Sequence, residues 1–129
     1  MTVTPNPVLD RTLTVDHLEL DTVLRATDVR LDWGGKGFNV SRALQAVETP
    51  SVAMGFLGGA TGDLLEEGLG SLGLICDFVR IEGETRTNVV VAEPGGHHLK
   101  VNERGPVVDA AAQARLLAAL GTRLQPDDI

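Results

Sequence analysis

The chain has 129 residues, 43% of them hydrophobic, and a formal charge of −7, a composition that fits one globular domain with an aliphatic core. That acidic balance excludes nucleic acid as a partner, because such binding needs clustered Lys and Arg, and an aromatic content of 3% with one Trp and no Tyr excludes base-stacking platforms. No apolar run approaches the roughly 20 residues of a membrane span and no basic-then-apolar leader opens the chain, so the expectation is a cytoplasmic protein without a membrane partner.

Residues 3–10 read as a short strand interrupted by Pro5 and Pro7, with the backbone turning near Asp10. Alternating apolar and polar residues over 12–20 and 23–33 predict a hairpin with one solvated face. Gly34-Gly35-Lys36-Gly37 then feeds a helix over 38–47, with Val40, Ala43, Leu44 and Val47 at helical spacing. A buried strand over 51–57, a turn over 58–62, a helix over 63–72 closed by Gly73, and a strand over 74–81 follow. Strand, helix, strand, helix, strand in that order predicts a parallel sheet with right-handed crossovers. Residues 85–92 and 98–102 flank Glu93-Pro94-Gly95-Gly96-His97 as a second hairpin. Asp109 is placed to cap a helix over 109–120, and Gln125 to Ile129 read as a loop leading toward a further strand.

Chemistry concentrates in a few places. In Gly34-Gly35-Lys36-Gly37-Phe38-Asn39, glycines let a ligand approach the backbone, free N–H groups at a helix start favour an anion, Lys36 adds a charge, and Asn39 offers a donor and an acceptor. The P-loop pattern fails because Gly37 stands where Ser or Thr would be required, and a dinucleotide fingerprint fails because Val40 stands in place of a third glycine. Taken alone, the stretch also fits a plain turn into a helix. Thr85-Arg86-Thr87-Asn88 opens a strand on which Arg86 and Asn88 share a face, and a guanidinium fork suits phosphate, although a solvated edge-strand arginine has the same signature. Asp10, at the expected end of the first strand, is placed to accept sugar hydroxyls or to serve as an ordinary turn residue. Arg25 and Asn102-Glu103, at expected strand ends, are weaker candidates of the same kind. His97-His98 at a hairpin tip lacks a ligand set for a metal, His17 reads as a hairpin residue, and the single Cys76 reads as a small buried hydrophobe.

Five motifs in register carry a resemblance: residues 4–12, 34–42, 55–59, 85–88 and 101–106 are similar in order and spacing to the phosphosugar branch of the ribokinase (PfkB) family of carbohydrate kinases. The resemblance implies an α/β fold, a ribokinase-like parallel sheet flanked by helices, with a small β-sheet lid supplied by about 11–33 and 85–102, lids of two protomers packing as a homodimer. It further implies transfer of the ATP γ-phosphoryl group, with Mg2+, to a hydroxyl of a phosphorylated ketose, fructose 1-phosphate first and tagatose 6-phosphate or fructose 6-phosphate next. By matching position, Asp10 would hold sugar hydroxyls, Gly35, Lys36, Gly37 and Asn39 would line the pocket with Asn88, and Arg25 and Arg86 would contact the existing phosphate.

The catalytic Asp of the family's Gly-Ala-Gly-Asp motif has no counterpart in these residues and is expected beyond Ile129. Residues 1–129 are therefore expected to be the N-terminal part of a kinase domain, without the ATP-binding part and inactive alone. Two non-enzymatic readings stay open beside it: a sugar-phosphate-binding module and a lid-mediated dimerisation module. Glu48 departs from the family by standing near a usual Gly, and Arg104 by replacing a common Pro.

Overall fold

The structure, a computed structural model, describes residues 1–126. In chain order its elements are β1 (Thr2–Thr4), β2 (Val8–Thr14), β3 (Asp28–Gly34), α1 (Lys36–Ala46), β4 (Val52–Leu57), α2 (Gly59–Ser71), β5 (Ile75–Arg80), β6 (Arg86–Ala92), β7 (His98–Asn102) and α3 (Ala110–Arg123). They form two sheets, a parallel one in the order β1-β4-β5 and a four-stranded one in the order β3-β2-β6-β7.

The parallel sheet is covered on both faces, which explains the unbroken apolar run Val52-Ala53-Met54-Gly55-Phe56-Leu57 in its central strand. Ala53 and Leu57 point to one side and pack with Phe38 of α1, Leu65 and Leu69 of α2, and Leu74. Met54 and Phe56 point to the other and pack with Ala112 and Leu116 of α3. Leu57, Leu65 and Leu69 are wholly buried, each worth roughly 1.5–3 kcal/mol relative to exposure. Asp109 caps α3 by accepting the Ala112 N–H at 2.6 Å.

The second sheet is two hairpins joined side by side. β2 pairs antiparallel with β3 and β6 with β7, while β2 and β6 run parallel, with Asp10 opposite Asn88. Alternation gives the sheet two unlike faces. Asp32, Asp10, Asn88 and Asn102 form one row of the polar face, with Arg30, Thr12 and Lys100 in the next. The opposite face carries Leu31, Val89 and Val101 in one row and Val29, Leu13, Val91 and Leu99 in another, with Arg11 the charged exception.

Several boundaries differ from the sequence expectation for identifiable reasons. The first strand breaks at Pro5 and Pro7 as expected, but the chain changes sheets there and β2 runs on to Thr14, so Asp10 is a mid-strand residue rather than a strand-end turn residue. The alternation over 15–27 does not make strands. Leu20 and Val23 are exposed, Asp21 has φ 58°, and the Leu18 N–H is taken by the Glu93 carboxylate at 2.7 Å instead of a strand partner. Arg25 is therefore in an exposed connection and not at a strand end. α2 begins at Gly59, four residues earlier than expected, because the Glu84 carboxylate accepts the Ala60 and Thr61 N–H groups at 3.1 and 3.0 Å and caps a start that has no capping side chain of its own. The glycine loop shrinks to Gly35 alone, between β3 and α1. Of the loop expected from Gln125 to Ile129, Asp127, Asp128 and Ile129 lie outside the described residues. The catalytic Asp expected beyond Ile129 lies outside them as well.

α1 ends in a Schellman motif: the Glu48 N–H donates to Gln45 O at 3.0 Å and the Thr49 N–H to Leu44 O at 2.9 Å. Glu48 occupies the left-handed position of that motif, with φ 57°.

Candidate functional site

β3 delivers the chain to the start of α1, which packs on β1, and between these elements and the polar face of the second sheet is a cleft of about 450 Å³. From below it is lined by Thr4, Pro5 and Asn6 after β1, from one side by Gly34, Gly35, Lys36 and Asn39, and from above by Asp10, Arg86, Asn88 and Lys100. Six of the eight sequence candidates therefore share one cleft: Asp10, Gly35, Lys36, Asn39, Arg86 and Asn88. Gly37 and Arg25 do not line it. Gly37 is buried beneath, where a Cβ would come within 2.7 Å of Thr4 Oγ1 and 2.8 Å of Val3 O, so its part is to let α1 sit on β1.

The centre of the cleft is an amide–carboxylate pair. Asn88 Nδ2 donates to Asp10 Oδ1 at 2.8 Å, and Asn88 is buried. A Cβ at Gly34 would lie 2.5 Å from Asp10 Oδ2, so any side chain there would displace the carboxylate. Three buried side-chain polar atoms among the described residues have no hydrogen-bond partner within the protein: Thr4 Oγ1, Arg86 Nε and Asn88 Oδ1. All three belong to residues of this cleft. Buried polar groups are otherwise almost always satisfied, so hydrogen-bonding capacity left unused within the fold is concentrated in the residues of this cleft.

The cations of the cleft are not engaged by carboxylates. Arg86 reaches only main-chain carbonyls, Glu103 O through Nη1 and Asn6 O through Nη2, both at 3.4 Å. The Glu103 carboxylate is instead taken by the Thr87 N–H at 2.8 Å. Lys36 is the first residue of α1, whose first turn holds no acidic residue, and a cation there opposes the helix dipole. An anion beside that helix end would offset the cost.

The sequence reading missed Thr4, Asn6 and Lys100. Thr4 and Asn6 belong to the motif over 4–12, of which only Asp10 was a site candidate. Lys100 had a signal: with Asn102 it alternates onto the face that Asn88 occupies.

Elsewhere, the Glu93 carboxylate does lie against a histidine pair, His97 Nδ1 at 2.5 Å and His17 Nδ1 at 3.1 Å, a partner that the sequence reading of the hairpin tip did not supply. These bonds and the Leu18 N–H hold its pKa below the usual carboxylate range. No group of three or more His, Cys, Asp or Glu among the described residues is arranged to hold a metal ion. Cys76 is half-buried beside the α1–α2 core, and burial, with Glu66 nearby, pushes its thiol up, the opposite of an activated nucleophile. No described helix is long and apolar enough to cross a membrane.

A parallel sheet covered by helices, with a mixed second sheet whose polar face closes over a cationic cleft, defines the ribokinase-like class of α/β proteins. The sequence profile of the pfkB family carbohydrate kinases matches residues 4–122, and the chain belongs to that family. It is 38% identical to a 1-phosphofructokinase of Haloferax volcanii over 112 residues, 86% of this chain and 36% of that protein. It is 36% identical to a tagatose-6-phosphate kinase of Staphylococcus epidermidis over 109 residues, 84% of this chain and 35% of that protein. The crystal structure of phosphofructokinase-2 from Escherichia coli in complex with substrates and products superposes with a TM-score of 0.88 at 25% identity, covering 97% of this chain and 41% of that one. The chain thus spans little more than a third of the length of the curated relatives it matches.

Proposed function

We propose that this chain forms the sugar-phosphate-binding part of a kinase that transfers the ATP γ-phosphoryl group to a hydroxyl of a phosphorylated ketose, with fructose 1-phosphate as the first-choice acceptor. The observation that carries the reading is the coincidence, in one cleft, of unpaired Lys36 and Arg86 with the hydrogen-bonding pair Asp10–Asn88 and the orphaned polar atoms around it. Cations match an ester phosphate and the carboxylate matches neighbouring hydroxyls, a division of labour suited to phosphoryl transfer, where positioning and charge do most of the work. A neutral sugar would leave the cations without a partner.

These residues do not fit the remaining requirements of the reaction. The described residues offer no acidic cluster for Mg2+, and the sequence has no Gly-Ala-Gly-Asp base motif. What the cleft residues offer the reaction is binding and orientation of the acceptor. The tagatose-6-phosphate kinase relative keeps that second ketose phosphate as the nearest alternative ligand. A binding module without catalysis would use the same cleft.

Calorimetric titration of the chain with fructose 1-phosphate, tagatose 6-phosphate, fructose 6-phosphate and unphosphorylated fructose tests the reading. Tighter binding of the phosphorylated ketoses is expected, fructose 1-phosphate foremost, and a preference for fructose itself would overturn it. A coupled assay with ATP is expected to detect no fructose 1,6-bisphosphate from residues 1–129 alone.

A further inference from the structure

We propose that Lys100 is a specificity-determining residue that contacts the anionic group of the cleft's ligand from the second sheet, adding a third cation to Lys36 and Arg86. The inference rests on the reading of the cleft as a sugar-phosphate site and extends it to Lys100 of β7, which lies just before the motif over 101–106.

The register places it. Asn88 pairs with Asn102 and Val90 with Lys100, so Lys100 shares the polar face with Asn88 and lies one row beyond the Asp10–Asn88 pair. Two residues of strand separate those rows, roughly 7 Å, which is within the span of an extended lysine side chain, and Lys100 does line the cleft. Arg86 stands on the other side of the same pair, two residues before Asn88. A ligand bonded to Asp10 and Asn88 therefore has a cation on each flank.

Charge supports the same conclusion. The chain as a whole carries −7, yet this cleft gathers Lys36, Arg86 and Lys100 against a single carboxylate, Asp10. No ion pair of the described residues engages any of the three cations. The excess of two positive charges matches a phosphate monoester dianion. A lysine that merely guards an edge strand against unwanted pairing would serve equally on either face; this one is on the face that closes the cleft.

The test is a set of binding titrations on the full chain: unmodified, Lys100→Met, Lys100→Arg and Arg86→Ala, each against fructose 1-phosphate and fructose over a range of salt. Lys100→Met is expected to weaken fructose 1-phosphate binding about tenfold and to flatten its salt dependence, to change fructose binding less than twofold, and to be restored largely by Lys100→Arg. Lys100 is exposed, so unaltered circular dichroism and melting are expected for both variants. If Lys100→Met binds fructose 1-phosphate as tightly as the unmodified chain, or loses fructose equally, the role of Lys100 is overturned while the cleft reading stands. If the unmodified chain binds no sugar phosphate, the cleft reading fails and the proposal with it.

Discussion

Asn88 and Asp10 face each other across the parallel join of β2 and β6, with Asn88 Nδ2 donating to Asp10 Oδ1 at 2.8 Å. The bond fixes the carboxylate at the seam where two hairpins become one sheet, and it leaves Asn88 Oδ1 buried without a partner. Asp10→Ala is expected to lower affinity by about 1.5–3 kcal/mol, the range for hydrogen bonds to a charged group. On the proposed reading Asp10 accepts from sugar hydroxyls, so titrations should show phosphorylated and unphosphorylated ketoses weakened alike.

Arg86→Ala should separate from that pattern. Its guanidinium is held only by two long bonds to main-chain carbonyls, so its charge is available to a ligand phosphate. The variant is expected to lose about 2–4 kcal/mol of fructose 1-phosphate affinity while fructose binding is unchanged, and Arg86→Lys should recover only part, since an ammonium lacks the two-pronged fork. Equal loss for both ligands would remove Arg86 from the phosphate contact.

Glu48 tests the fold rather than the site. At φ 57° it occupies the left-handed end of α1 with a side chain, a conformation that costs roughly 1–2 kcal/mol outside Gly, partly offset in a Gly variant by the looser unfolded chain. Glu48→Gly is expected to raise stability by about 0.5–1 kcal/mol, read as an upward shift in the melting temperature. The departure from the family pattern at this position, visible in the sequence, coincides with the conformation that explains why Gly suits it.

Much of the fold was legible for a similar reason: the period of the apolar residues reports what each element buries. β4 and α3 were read to within a few residues because their apolar positions meet α1, α2 and the parallel sheet directly. Residues 15–27 misled because their alternation buries nothing, and only tertiary bonds such as Leu18 N–H to Glu93 decide their path. In the site, the glycine run and Arg86 were visible as residue types, whereas Thr4 and Lys100 depend on how β1 and β7 are placed beside them. The parallel pairing of β2 with β6, which brings Asp10 to Asn88 across 78 positions, has no local signal at all.

Acid should loosen the start of α2. The Glu84 carboxyl is held below its ordinary range mainly by the Thr61 backbone N–H, then by the Thr61 hydroxyl and the Ala60 N–H. A depressed folded-state pKa means the contribution is fully present above the unfolded value near 4.5 and disappears as pH falls through the folded value. Melting followed from neutral pH to below 4 should therefore show a decline that Glu84→Gln reduces, with the variant already less stable at neutral pH. An identical pH profile for the two proteins would show that the cap contributes nothing.

The apolar face of the second sheet is the remaining test. Leu31, Val29, Leu99 and Val101 are 39%, 49%, 51% and 57% exposed, on the side away from the cleft. Contiguous apolar surface of this kind is normally covered, and a second copy presenting the same face offers a self-complementary partner. Sedimentation at micromolar concentration should show a dimer for the unmodified chain and a monomer for Val101→Glu, because two copies of the introduced carboxylate would be buried without partners. Val101 points away from the cleft, so the variant should keep its sugar-phosphate affinity. A monomeric unmodified chain, or a Val101→Glu variant that still dimerises, would place the contact elsewhere.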